Sequence, residues 1–317
     1  MSANSMRKKM FGAYGSPRSN LTNVEALRAI AALAVVLVHL RVFLQMLRIP
    51  NIGGGGVDLF FVISGYLMVY TTRRSTPRPF EFFARRLARI APMYWLVTCA
   101  VYAIALCMPR LLQATRADPV QLFKSLAFIP FKKSNGLAEP VVFVGWTLNY
   151  EMFFYALFAL GLAVRPYAAG LAATSVTLVA LVSIRHLVPQ ASTIGFFYTS
   201  SLILEFAYGM WLALVIPRLP PTASERAKRG VWACVLVGLL LLVTSADAAP
   251  QLPRAAWPGI PAALVLGGAV ALERWGWRIA SPLWLALGEA SYSIYLTHPS
   301  RRKRFRGRQN RSDRTPL

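Results

Sequence analysis

The chain has 317 residues, 56% of them hydrophobic, with a mean hydropathy of +0.47 and a formal net charge of +23. Soluble domains are seldom this apolar, so the composition argues against a soluble enzyme, and no nucleic-acid partner is expected despite the positive charge. An all-α, polytopic membrane helix bundle of about 8–10 transmembrane helices is the expectation.

In chain order, apolar runs approaching the roughly 20 residues that cross a bilayer fall at 24–44, 57–72, 90–108, 141–164, 167–184, 195–216, 231–245 and 257–272, with a further segment at 282–297. Residues 1–20 read as a basic N-terminal tail, 21–299 as one membrane domain and 300–317 as a second basic tail. The first run lacks a small-residue cleavage site and reads as an uncleaved helix. Arg7, Lys8, Lys9 and Arg18 precede it; Arg73, Arg74, Arg78, Arg85, Arg86 and Arg89 follow the second run, and Arg218, Arg226, Lys228 and Arg229 follow the sixth. With alternating spans these groups share one side, which the positive-inside rule makes cytoplasmic. That gives a multi-pass protein with its N-terminus inside, although Arg116, Lys124, Lys132 and Lys133 weaken the bias on the other face. Cys99, Cys107 and Cys234 lie in apolar runs, where a buried thiol is the ordinary expectation, and no zinc spacing or metal site is read from them.

Ionisable groups inside spans cost several kcal/mol unless they line a cavity or find partners, so each is a candidate. Arg28 and His39 frame the run LRAIAALAVVLVHL. Eleven residues make about 1100° of helix, three turns plus about 20°, so the two share a face and lie roughly 16 Å apart along the axis. Against a paired role stands a snorkelling Arg28 bonded to Glu25 and a histidine satisfied by a neighbouring helix. In GGGGVDLFFVISGYL, Asp58 enters the second span at the depth of His39; an acid beside an imidazole makes it a better base, while the plainer role is a helix cap. The stretch EFFARRLARIAPMYW sets Arg85, Arg86 and Arg89 just ahead of the third span, with Pro92 one turn into it; forked guanidinium bonds suit phosphates, and topology determination is the plainer use. GWTLNYEMFFY places Trp146, Asn149 and Glu151 in the upper and middle part of the fourth span, and LILEFAYGMW places Glu205 near the middle of the sixth, where both carboxylates could face one polar interior. Ser291, Tyr295 and His298 in SYSIYLTHP stand at i, i+4 and i+7 on one face. His186 falls in a loop, which leaves His39 the better base.

Taken in order, Arg-x10-His, GVDLFFVISGYL, RRLARIAPMYW, Trp-x4-Glu and GEASYSIYLTH resemble acyltransferase family three, the integral membrane O-acyltransferases, over residues 21 to 298. The form WTLNYEMFFY resembles the branch that acetylates bacterial exopolysaccharides, rather than the branch with an added extracellular esterase-like domain. The resemblance implies transfer of an acyl group, usually acetyl, from cytoplasmic acetyl-CoA or another acyl-CoA as co-substrate, with no bound cofactor. The acceptor is a hydroxyl of an exported polysaccharide or its lipid-linked precursor, so membrane lipid, a glycan and polysaccharide-synthesis proteins are the partners. Carried onto this chain, His39 is the base with Asp58 as its orienter, and Arg28 binds the donor or stabilises charge. Arg85, Arg86 and Arg89 contact CoA phosphates, while Glu151 and Tyr295 are pocket residues.

The chain departs from the family after His298. Where the last helix should continue in apolar residues, SRRKRFRGRQNRSDRTPL carries eight Lys/Arg and one Asp. A reading-frame change or truncation is expected to leave the last helix incomplete and Tyr295 and His298 poorly held, with an anionic-lipid-binding tail as the alternative. Two rival functions stay open: a transporter, because buried charges also mark translocation paths, and a non-catalytic component of a polysaccharide-synthesis complex.

Overall fold

Eleven α-helices and no strand make up the described residues of the computed structural model, which are 21–39, 54–108, 117–133, 136–189, 191–248 and 252–298. The side chains of His39 and of residues 244–248, and the two basic tails read at 1–20 and 300–317, lie outside that description. The helices are α1 (Thr22–His39), α2 (Gly56–Thr72), α3 (Pro79–Cys107), α4 (Pro119–Leu126), α5 (Trp146–Ala163), α6 (Tyr167–Ser183), α7 (Thr193–Tyr198), α8 (Leu204–Val215), α9 (Glu225–Ala248), α10 (Gly259–Arg274) and α11 (Pro282–Thr297). By length and apolar composition Pro79–Cys107, Tyr167–Leu187 and Ser201–Arg218 can cross a membrane, and Gly56–Thr72 is a shorter apolar helix. Large apolar side chains point outward all round the bundle, among them Leu96, Leu160, Val176, Leu240 and Leu283. An outward-facing apolar surface is the signature of a protein whose solvent is lipid. Cys99, Cys107 and Cys234 sit on that outer surface rather than in the core, because in a bilayer an apolar run need not be buried in protein.

At the centre α2 packs on α8, α1 and α10, while α11 lies along α1 and α9 along α10. The α2–α8 contact is backbone against backbone. A Cβ on Gly65 would stand 2.0 Å from the Phe206 carbonyl oxygen, and one on Gly209 would stand 1.9 Å from that of Val62. Small residues make such approaches possible, and with lipid as solvent this close packing is what holds helices together.

Hydrogen bonds bring one set of helix ends together. Glu273 at the close of α10 accepts from the Thr22 amide (2.7 Å), the Thr22 hydroxyl (3.0 Å) and the Asn23 amide (3.1 Å), capping the start of α1. The Asn23 side chain bonds the Ala269 and Trp277 carbonyls and accepts from the Ile279 amide. At this same end Thr72 bonds the Tyr167 hydroxyl, Arg73 reaches the Ala213 carbonyl, Arg86 reaches Thr71 and Arg274 reaches Leu219. It is the arginine-rich end of the bundle. The opposite end holds the starts of α2, α8 and α10.

Two boundaries differ from the sequence reading, with consequences for the site. α3 begins at Pro79, not near residue 90, so Arg85, Arg86 and Arg89 ride on the helix instead of preceding it. Pro79 supplies an N-terminal start, and Pro92 is carried inside the helix. At 29 residues α3 is about 44 Å long, beyond the roughly 30 Å hydrocarbon core, which leaves its arginine-bearing turns at the membrane mouth. The run at 195–216 is broken into α7, a 3₁₀ turn at Ser201–Ile203 and α8, with Ser200 turning its hydroxyl onto the Leu202 amide. Glu205 consequently lies in the first turn of α8, not mid-span.

α11 is formed through Thr297, and Tyr295 is buried and hydrogen-bonded, so that residue is firmly held.

Candidate active site

α1, α2, α3, α5 and α11 enclose a cavity of about 100 Å³ that begins among arginines and runs toward the opposite end. On α3, Arg86 and Arg89 are one turn apart and both line it. Arg86 lies over the Phe82 and Tyr155 rings, 5.6 and 5.8 Å from their centroids. Arg89 has no hydrogen-bond or ion-pair partner among the described residues. Arg85 turns to the exposed face, where it pairs with Glu81, and does not line the cavity.

Arg28 on α1 is buried and joins the same wall. Its Nη1 donates to both Glu25 oxygens, at 3.1 and 2.9 Å, the local pairing weighed from sequence. A guanidinium has five N–H donors, so that bond leaves others for a ligand. α1 is continuous through His39, so the backbone there keeps the register of Arg28; the imidazole lies outside the described side chains.

Glu151 on α5 faces the arginines across the cavity. Its Oε1 accepts from the Ser64 hydroxyl at 3.3 Å and from the Tyr155 hydroxyl one turn on. Toward the far end Tyr295 bonds the Thr147 hydroxyl (2.7 Å) and the Val144 carbonyl (2.9 Å), its ring edge-on to Phe60 at 6.0 Å. Ser291 is fully buried in the wall, and its hydroxyl has no partner among the described residues. Three guanidinium groups, of Arg28, Arg86 and Arg89, thus line this end with Glu151, while Glu25 pairs with Arg28, which leaves a surplus of positive charge.

The remaining candidates lie elsewhere. Asp58, fully buried, is gripped by Arg254 through bonds of 3.0 and 2.9 Å to Oδ1 and 2.6 Å to Oδ2. Burial opposes the Arg254 charge, yet Asp58, with Glu205 and Tyr150 adding to it, holds the guanidinium above its usual pKa. Glu205 is fully buried beside that pair at the opposite end of the bundle, not near Arg28, because α8 starts where α2 starts. Asn149 is buried with its Oδ1 unpartnered among the described residues, away from the cavity lining. Trp146 packs edge-on against Tyr150 at 6.0 Å. His298 follows α11, its Nδ1 2.6 Å from the Tyr295 carbonyl.

Sequence reasoning missed Arg254, Glu273, Ser64 and Tyr155. Tyr155 was the accessible one, since it stands four residues after Glu151 in EMFFY. Arg254 lies 196 residues from Asp58 and Glu273 251 from Thr22, separations that no local pattern reveals. In the connection before α5, Lys133 is buried beside Glu139; burial lowers its pKa to about 8, against a raising effect of Glu139.

Fold and cavity define a polytopic membrane helix bundle with an internal cavity rich in arginine. The chain belongs to a family of acyltransferases: the Acyltransferase domain family model matches residues 21–300. It is 38% identical over 256 residues to the exopolysaccharide production protein ExoZ of Rhizobium meliloti, covering 78% of this chain and 76% of that one. It is 26% identical to the putative membrane-bound transacylase BcsY of Komagataeibacter xylinus, over 89% of this chain and 73% of the relative. It is 30% identical to the O-acetyltransferase OatA of Staphylococcus aureus over 46% of this chain and 25% of the relative. No solved structure matches it. The protein is a membrane acyltransferase.

Proposed function

We propose that this enzyme moves an acetyl group from acetyl-CoA, bound at the arginine-rich end, to a sugar hydroxyl of an exported polysaccharide or its lipid-linked precursor at the opposite end. The observation that carries this is a single cavity lined at one end by Arg28, Arg86, Arg89 and Glu151 and at the other by Thr147 and Tyr295. From Tyr155 to Thr147 the α5 wall spans about 12 Å, so a group entering among arginines travels well into the bundle before it meets an acceptor. The arginine end is taken as cytoplasmic, following the charge bias. Likeness to ExoZ, whose name concerns exopolysaccharide production, and to OatA, named an O-acetyltransferase, supports the acceptor and the acyl group.

Arg89, with guanidinium donors to spare, and Arg86 take the CoA phosphates. Arg28 lines the path of the CoA arm, and the thioester lies beyond it toward His39. The acceptor hydroxyl gives its proton to His39, whose place on α1 is the register of Arg28 one half of a bilayer further on. The alkoxide oxygen then bonds to the acyl carbon, the C–S bond breaks and the thiolate leaves as free CoA after protonation. Asp58 steadies this end through Arg254.

Membranes bearing the protein should release CoA from acetyl-CoA in the presence of the glycan acceptor, and His39→Ala should abolish this with the folded protein intact. CoA release unchanged by His39→Ala would overturn the reading. Glycan export without CoA release would instead favour a transporter.

A further inference from the structure

α11 and α5 are tied at one point and part just inside it. The Tyr295 and Thr147 hydroxyls bond at 2.7 Å toward the far end of the cavity. The two helices run in opposite directions there. α11 starts at the arginine-rich end, where the Ile279 amide bonds Asn23, and α5 heads toward that end, where Tyr155 lies under Arg86. One turn inside the tie, about 6 Å on each helix, come Glu151 on α5 and Ser291 on α11, and both line the cavity. Ser291 is wholly buried, and its hydroxyl has no partner among the described residues. Helical hydroxyls normally bond the carbonyl four residues back, as Thr174, Ser175, Thr177, Ser183 and Thr297 do here. Ser291 makes no such bond. Glu151 is half engaged: its Oε1 accepts from the Ser64 and Tyr155 hydroxyls, while Oε2 takes no bond among the described residues.

A donor and an acceptor thus face each other at one level and do not meet. What fits between them must accept from Ser291 on one side and donate to Glu151 on the other. A secondary amide does this, because its C=O and N–H point in opposite directions across a planar trans bond. A phosphate only accepts, so it answers the hydroxyl and is repelled by the carboxylate. The level excludes a thioester as well. Gly288 packs on the Glu25 carbonyl with no room for a Cβ, so Ser291 and Arg28, each three residues beyond that contact, lie level on α11 and α1. The His39 position is about 16 Å further along α1, and the reacting carbon belongs out there. Arg86, bonded to Thr71, lies on the other side, toward the arginine-rich end.

We propose that Ser291 and Glu151 form a subsite for a secondary amide, the one in the acyl-CoA arm nearer the diphosphate. Ser291 donates to its carbonyl oxygen, and Glu151 Oε2 accepts from its N–H. The inference rests on the reading of this cavity as the path of acyl-CoA and adds to it what selects the donor. Arginines hold phosphates, which every nucleotide carries; the amide subsite favours a ligand that carries the arm. Neither residue makes or breaks a covalent bond, so both act in binding and not in the chemical step. An amide in a buried channel is costly without partners, and so is a buried hydroxyl left unmet; each satisfies the other.

The test uses the full chain in detergent with two probes, radiolabelled CoA and adenosine 3′,5′-bisphosphate, which has phosphates but no arm and is read by displacement of the label. Turnover of acetyl-CoA with glycan acceptor is followed in membranes. Ser291→Ala should weaken CoA binding about tenfold, the loss of one hydrogen bond, and leave the bisphosphate within about twofold. Its KM for acetyl-CoA should rise while kcat stays within about threefold, and its Tm without ligand should not fall, because an unmet polar group has gone. Ser291→Thr should restore part of the CoA affinity. Glu151→Gln should lower affinity for CoA relative to the bisphosphate by a similar factor, with the bisphosphate itself held more tightly, since a negative charge among the arginines has gone. Ser291→Ala that binds CoA within about twofold of wild type, or loses both probes alike, would overturn this inference; CoA release that still depends on His39 would leave the function standing. A lower Tm with no rescue by threonine would make Ser291 structural and overturn it too. A fall in kcat of about a hundredfold with CoA binding unchanged would put Ser291 in the chemical step, again against it. Wild type that binds neither probe and releases no CoA would remove both this inference and the function beneath it.

Discussion

Two polar clusters share α1 and are built on opposite principles. At Thr22 and Asn23 every group is answered: Glu273 takes three donors, and the Asn23 amide is bonded on both its nitrogen and its oxygen. Little more than a turn along the same helix, the cavity around Arg28 leaves Ser291 without a partner and Arg89 without a counter-ion among the described residues. Both clusters put polar atoms where lipid-facing helices make them costly. One spends them on fixing where α1 begins; the other leaves them unpaired, as the proposed ligand site requires. Saturation of hydrogen bonds, rather than polarity itself, separates the structural cluster from the chemical one.

The comparison breaks most visibly at the saturated cluster. Glu273→Ala strands the Thr22 and Asn23 amides and should cost about 3 kcal/mol, read as a fall in Tm and in folded yield from membranes. Activity per folded molecule should change little; a variant that melts like wild type would mean the cap is not what seats α1.

The Asp58–Arg254 pair tests the same principle at the other end. Arg254→Met leaves a buried carboxylate alone and should cost about 2 kcal/mol, discounted from the usual buried-pair value because the Arg254 side chain is 41% exposed. Adding Asp58→Asn should cost less than the two single losses summed, since no orphan charge remains. Strict additivity would mean the two residues do not act as a pair.

In the open cluster the sign reverses. Arg89→Gln should raise KM for acetyl-CoA about tenfold with Tm unchanged or higher, whereas Arg85→Gln, on the outer face with Glu81, should leave KM within about twofold. Equal effects would show a diffuse basic mouth instead of a directed site.

Smallest is the response of Lys133. Its pKa is about 8 in the folded protein against an ordinary 10.5. Between those values the unfolded chain binds the proton and the native one does not, so stability rises with pH through that window and is flat below it. Tm followed from pH 7 to 10 should climb, and Lys133→Met should remove the Lys133 share of that slope.

Much of the fold was legible locally. The apolar run at 57–72 is matched by α2 at Gly56–Thr72, and 282–297 by α11, because a span in lipid must satisfy its backbone within itself and so declares its length. Where the reading failed, a short-range signal competed with a tertiary one. Pro79 starts α3 well before the apolar run at 90–108, and Thr199 to Ser201 interrupt a run whose composition looks continuous. In the site, helical period singled out Arg28, Ser291 and Tyr295, and charge in or beside apolar runs singled out Arg86, Arg89 and Glu151; all six line one cavity, but neither signal could separate Arg85 from its neighbours or Glu205 from Glu151.

By itself the sequence determined the membrane class, the run of helices and the short roster of polar groups, since hydropathy and helical period are local properties of the chain. Only the tertiary structure decided which of those groups meet. Arg254 finds Asp58, Glu273 finds Thr22, and Ser291 finds no partner among the described residues, because such pairings are set by how helices hundreds of residues apart pack, and packing of apolar surfaces leaves no trace in the spacing of any one of them.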